Sequence, residues 1–166
     1  MTKTKKLALL AALTAVALTI FVAESQIPPV VPVPGVKLGL ANIVTLVTMA
    51  LLGRREAGAV LVVRLILGSA FAGGFSGLMF SAAGGAAAYI VMCLLIKVFP
   101  EKLMWVVSVL AALAHNAGQL AVALWVSGTA SMLYYGTVLA ASGIITGVFT
   151  GLGAMYLTRA MKKLVK

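Results

Sequence analysis

Arg64 stands inside an apolar run, ten residues beyond Arg54. On a straight helix that spacing carries its guanidinium about 15 Å past the nearest polar flank. A cation at that depth in hydrocarbon costs roughly 3 kcal/mol or more unless it faces protein, water or a partner. Two readings stay open. The side chain snorkels back toward the flank, or it faces inward and meets an anionic ligand or backbone carbonyls. A counter-ion within the chain is hard to find, because there is no aspartate and the only glutamates are Glu24, Glu56 and Glu101. Glu56 shares a segment with Arg64 but sits two turns away; only Glu24 belongs to the far side.

His115, Asn116 and Gln119 form a second polar group in the middle of an apolar segment. Offsets of three and four set Gln119 beside both of the others on a helix surface. Polar side chains at such depth face a bundle interior, where they either tie helices together or contact a ligand. Asn42 with Thr45 gives another segment a similar stripe, and Lys37 stands just ahead of it. Lys37, Asn42, Arg64, His115, Asn116 and Gln119 are therefore expected to line one substrate-binding cavity. Two cations and several amides suit an anionic or polar head group; apolar walls suit a ring or an isoprenoid portion.

Other chemistry is poorly provided for. A lone histidine without a second His or an acidic neighbour is a weak metal signal, so no metal site is expected. No nucleophile–base–orienter set and no G-x-S-x-G is present, so no catalytic residue is assigned and no cofactor is expected. Prenyl-chain elongation requires clustered carboxylates to hold Mg²⁺ against diphosphate, and no two acids lie close together here. There is no G-x-x-x-x-G-K-[ST] loop to cradle ATP. Cys93, the lone cysteine, cannot form an internal disulfide and reads as a buried, inert thiol.

The elements that must position these residues are set by composition. In 166 residues, 63% are hydrophobic and 10% charged, with mean hydropathy +1.15. That excludes an ordinary soluble domain and points to an all-α, polytopic membrane protein of one domain, 1–166. A basic arm (1–6) is followed by six apolar segments at about 7–23, 38–52, 57–72, 78–99, 103–126 and 132–158, then a basic tail (159–166). The second and third are shorter than the ~20 residues a straight span needs, so tilt or extension into the flanks is expected. The first reads as a membrane helix; a signal peptide is the alternative, opposed by the poor cleavage site Val22-Ala23-Glu24.

The formal charge of +10 reads as an orientation signal rather than a nucleic-acid surface. With the N-terminus in the cytoplasm, the basic residues at both ends and in the loops near Arg54, Lys97 and Lys102 all fall inside. Only Glu24 and Lys37 fall outside. The expectation is a compact six-helix bundle in the cell membrane, multi-pass, with both termini cytoplasmic. Trp105 and Trp125 lie 20 residues apart, about 30 Å of helix, and suit the two interfacial belts. Tyr135 and Tyr156 bracket the last segment in the same way. Between them Gly136, Ala140, Gly143, Gly147, Gly151 and Ala154 make a small-residue face, expected to pack tightly on a neighbouring helix.

Four of the five prolines (Pro28, Pro29, Pro32, Pro34) precede Gly35 and form an extended connector between the first two segments. The string P-G-V-K-L-G-L-A-N-I at 34–43, with A-H-N-A-G-Q-L at 114–120, resembles the Gx transporter family. That family is often labelled heptaprenyl diphosphate synthase component I, and it is similar to the substrate-binding S components of energy-coupling-factor (ECF) transporters. The resemblance covers nearly the whole chain. It implies capture of a vitamin-like, isoprenoid or quinone-precursor compound from outside, with energy supplied by a membrane coupling subunit and a pair of ATPases. In S components an Ala-x-x-x-Ala face of the first helix docks on the coupling subunit; Ala8/Ala12 and Ala11/Ala15 both fit. Membrane lipid is the other expected contact. The competing readings are a non-catalytic membrane partner of a polyprenyl diphosphate synthase and a stand-alone secondary carrier. The latter is disfavoured by the lack of a mid-membrane acid.

Overall fold

The computed structural model describes residues 1–28 and 36–165; most of the proline connector lies outside the described residues. All regular structure among them is helical: α1 (Lys3–Ser25), α2 (Asn42–Leu51), α3 (Arg54–Gly68), α4 (Gly74–Leu95), α5 (Met104–Ser127) and α6 (Tyr134–Val165). Four stretches, Lys3–Ser25, Gly74–Leu95, Glu101–Ser127 and Ala130–Lys163, are long and apolar enough to cross a membrane. Their outer faces carry large apolar side chains in the open, with Phe75 77% and Phe149 72% exposed. A soluble monomer does not leave such a surface in water.

The two short segments resolve differently. α3 is continued by a π-helical turn, Ser69–Gly73, which lengthens the helical path as expected. Gly74, with φ 55°, then reverses the chain directly into α4. The residues expected to separate these helices, 73–77, are thus mostly the start of α4, and at its other end α4 stops at Leu95 rather than 99. The expected helix over 38–52 requires correction. α2 spans only 10 residues, about 15 Å, and Leu38–Ala41 is not α-helical. Gly39 adopts φ 79°, which breaks the helix there. α2 is short because it is enclosed: Asn42 and Val44 through Met49 are all buried. The basic tail is also corrected, since α6 runs on through it to Val165.

α4, α5 and α6 form two antiparallel hairpins with backbones in near contact. A Cβ on Gly118 would lie 2.7 Å from the Ala83 carbonyl oxygen; on Gly147, 2.6 Å from the Val109 Cα; on Gly151, 2.5 Å from the Trp105 Cα. The glycine face of α6 therefore packs on α5, as its spacing predicts. Ser108 and Thr150 share a buried hydrogen bond of 2.9 Å across this seam.

On the other side α1 packs along α3, burying Leu13, Ala17, Phe21 and Glu24. α2 fills the middle, with Leu46, Val47 and Met49 in one cluster with Ala88, Met92, Met104, Val107 and Ala154. Met161 reaches the group that holds Leu9, Leu10 and Leu52, so both chain termini lie at one end of the bundle. Ion pairs at that end join Lys6 to Glu56, and Lys162 and Arg159 to Glu101, the last at 3.6 Å. Each is partly exposed and contributes about 0–1 kcal/mol, too little to hold the fold.

Candidate substrate site

Toward the opposite end α1, α2 and α4 meet α3 around Arg64. It is 2% exposed, so the snorkelling alternative is not what the fold adopts. Its Nη2 donates to the Asn42 Oδ1 at 3.5 Å, a long contact, and its Nε has no partner among the described residues. A Cβ on Gly85 would lie in ordinary contact with Nη2 at 3.6 Å and closer, at 3.2 Å, to the Leu61 Cδ1, so α4 packs directly against this part of α3. The Phe21 ring of α1 lies 5.7 Å from the guanidinium carbon and 3.4 Å from the Lys37 Nζ. Lys37 Nζ likewise has no hydrogen-bond partner. One aromatic ring thus lies beside two cations, a favourable but weak substitute for an anion. Burial pulls the Lys37 ammonium below its ordinary range, and the Glu24 carboxylate pushes it back up.

Glu24 is 4% exposed, yet among the described residues it makes no ion pair within 4 Å. Its Oε1 accepts the Gly39 N–H at 2.5 Å. This bond and the left-handed turn at Gly39 hold the lead-in to α2 against the end of α1. The first N–H groups of α2 are also occupied: Asn42, Ile43 and Val44 donate to the carbonyls of Gly39, Leu40 and Ala41.

His115 sits where Gly39, Gly84, Asn42 and Gln119 meet. A Cβ on Gly84 would be 2.8 Å from the ring, and one on Gly39 2.9 Å. The Asn42 Nδ2 is 3.2 Å from Nδ1, and the Gln119 Nε2 is 3.0 Å from Nε2. Gln119, fully buried, also accepts the Lys37 backbone N–H at 3.3 Å. Both flanking amides offer donors to the imidazole. A neutral ring has one acceptor nitrogen and one N–H, so one contact sets N–H against NH₂ until an amide turns over. With the amides placed in this way a doubly protonated ring would oppose donors on both sides, and the contacts fit a neutral His115.

A small cavity of about 20 Å³ opens beside this network, lined by Glu24, Lys37, Val36, Leu38, Leu139 and Ser142 among others. That is room for about one water. Substitution of Gly39 by Ala is expected to cost at least about 1–2 kcal/mol through its left-handed backbone alone. The added methyl would also press on the His115 ring. A lowered thermal unfolding midpoint of the purified protein checks this.

The fold around this polar centre can be set beside known proteins. The chain matches the family described as heptaprenyl diphosphate synthase component I over residues 13–157. It is a member of that family. No curated protein and no solved structure matches it.

In this component I protein, Lys37, Asn42, Arg64, His115 and Gln119 lie in one polar cluster, but of the five only Lys37 lines the small cavity beside it. Asn116 does not belong to the cluster. Its Nδ2 donates to the Leu139 carbonyl at 2.5 Å, so it faces α6 and ties two helices together. Neighbouring helical residues point about 100° apart, so His115 and Asn116 cannot serve the same centre. Phe21 and Glu24 were not among the expected site residues. The only sequence signal for them is a carboxylate closing an otherwise apolar run. Ala8, Ala11, Ala12 and Ala15 are exposed on α1, and Ala11 and Ala15 line a broad apolar groove against Val60 and Val63 of α3.

Proposed function

We propose that this protein is the substrate-binding membrane subunit of an ECF-type uptake transporter, taking a small anionic or amphipathic compound from the outer side. The carrying observation is a buried guanidinium whose Nε lacks a partner, beside a second cation in the same state. Unpaired buried charge is costly and persists where a ligand completes it. The reading uses six passes with both termini cytoplasmic. It is supported by termini that share one end of the bundle, and by Arg54, Arg55 and Lys162 at that same end. The compound then arrives at the opposite end, where Lys37 and Arg64 stand.

The proposed role is non-catalytic. The three glutamates are committed elsewhere: Glu24 to the Gly39 N–H, Glu56 to Lys6 and Glu101 to Lys162. None is left to gather Mg²⁺ against a diphosphate. Energy for transport would come from a coupling subunit and an ATPase pair, docked on the exposed alanine face of α1. The test is uptake and co-purification. Co-expression with a coupling subunit and ATPases should give a stable complex that accumulates substrate only with ATP turnover; a chain that never joins such a complex overturns the proposal. The family description supports a second reading, a membrane partner of a polyprenyl diphosphate synthase. Co-purification with a synthase, and loss of its activity on deletion of this chain, would favour that one.

A further inference from the structure

Resting on the reading of this cluster as the substrate site, we infer that the ligand is a monoanion bound through a carboxylate group, and not a diphosphate ester. Charge and donor count lead to the same answer. The centre holds two cations, Lys37 and Arg64, one carboxylate, Glu24, and a neutral His115, leaving one positive charge without a counterpart. A monoanion cancels it. A prenyl diphosphate, carrying about three negative charges, would leave the enclosed site more highly charged than before, which a low-dielectric interior opposes.

The donors are equally few. Among the described residues Arg64 offers a free Nε edge and Lys37 a free Nζ. A guanidinium edge takes two oxygens side by side, of a carboxylate or of a single phosphate group, so this edge with one ammonium suffices for a monoanion. Diphosphate recognition instead uses a run of backbone N–H groups or metal ions held by acids. Here the N–H groups at the head of α2 are bonded to carbonyls, and that of Gly39 to Glu24. Carboxylate binding also relieves the opposed donors at His115. Once the ligand accepts from Arg64, the Asn42 amide is free to turn its oxygen toward the ring N–H.

The experiment uses the full chain in lipid nanodiscs and reads its thermal unfolding midpoint. The probe is a small-molecule extract of the cells that make the protein, in three portions: untreated, with carboxylates converted to methylamides, and phosphatase-treated. The untreated and phosphatase-treated portions should raise the midpoint by several degrees and the amidated portion should not. Arg64→Gln and Lys37→Gln, each checked for folding by its own transition, should lose the shift. If phosphatase removes the effect, or amidation spares it, the carboxylate assignment falls while the binding site stands. If the untreated portion gives no shift that depends on Arg64, the site reading and the assignment fall together.

Discussion

Arg64→Gln is expected to weaken ligand binding by about 30-fold or more while leaving the ligand-free protein at least as stable as the native chain. The two halves have one cause. Truncating a buried charge that pairs with a ligand costs about 2–5 kcal/mol of affinity, each 1.4 kcal/mol being tenfold. Without ligand, the same guanidinium is 2% exposed, has no carboxylate within 4 Å and makes one 3.5 Å hydrogen bond. A buried ion without a counter-ion carries a desolvation penalty of several kcal/mol, which a neutral group of similar shape does not. Glu24→Gln should behave oppositely. It removes the centre's one negative charge and leaves Lys37 and Arg64 as two buried cations beside the Phe21 ring, so the unfolding midpoint should fall. Binding isotherms and thermal transitions on the two variants separate these effects. Arg64→Gln with native affinity would take Arg64 out of the site, and Glu24→Gln with unchanged stability would contradict the charge count.

Much of this centre is legible in the chain because membranes make polar residues conspicuous. Arg64, His115 and Gln119 stand out against their apolar neighbours, and the centre brings them together with Lys37 and Asn42. What escapes is what depends on tertiary contact. Phe21 looks like any other apolar residue of a first helix, and Glu24 looks like an edge charge. Only the packing of α1 along α3 sets the Phe21 ring against Gly68, where a Cβ would approach it to 2.6 Å, and so beneath Lys37. The helix expected from residue 38 fails for a related reason. Its apolar composition is compatible with helix, but the Gly39 N–H is taken by a glutamate 15 residues earlier, and the local backbone follows that bond. Asn116 is misassigned by adjacency: the three- and four-residue offsets to Gln119 are equally allowed, and only the position of α6 decides that Gln119 turns with His115.

The largest structural effect is expected from Gly151→Leu. A Cβ at this position would stand 2.5 Å from the Trp105 Cα and 2.7 Å from the Ser108 Cβ, distances that real side chains do not occupy. The first obstacle is backbone, so no rotamer change relieves it, and α6 must move away from α5. That separation breaks the 2.9 Å bond between Ser108 and Thr150 and opens the contact of Gly147 with Val109. Overpacking of a rigid core typically costs about 1–3 kcal/mol, and a clash with main chain, which no rotamer change relieves, should exceed that range. The consequence reaches the site, because α5 also carries His115 and Gln119, whose contacts with Asn42 and Lys37 tie the polar centre together. Gly151→Leu should therefore lose both cooperative unfolding and ligand binding. Gly77→Ala is the matched control. Nothing lies within 4 Å of a Cβ there, and exchanging a helical glycine for alanine should stabilise by about 0.5–1 kcal/mol. If both variants unfold alike, the α6 glycines are not holding two helices at backbone distance; if Gly151→Leu unfolds natively but alone loses ligand, the seam acts on the site without supporting the fold.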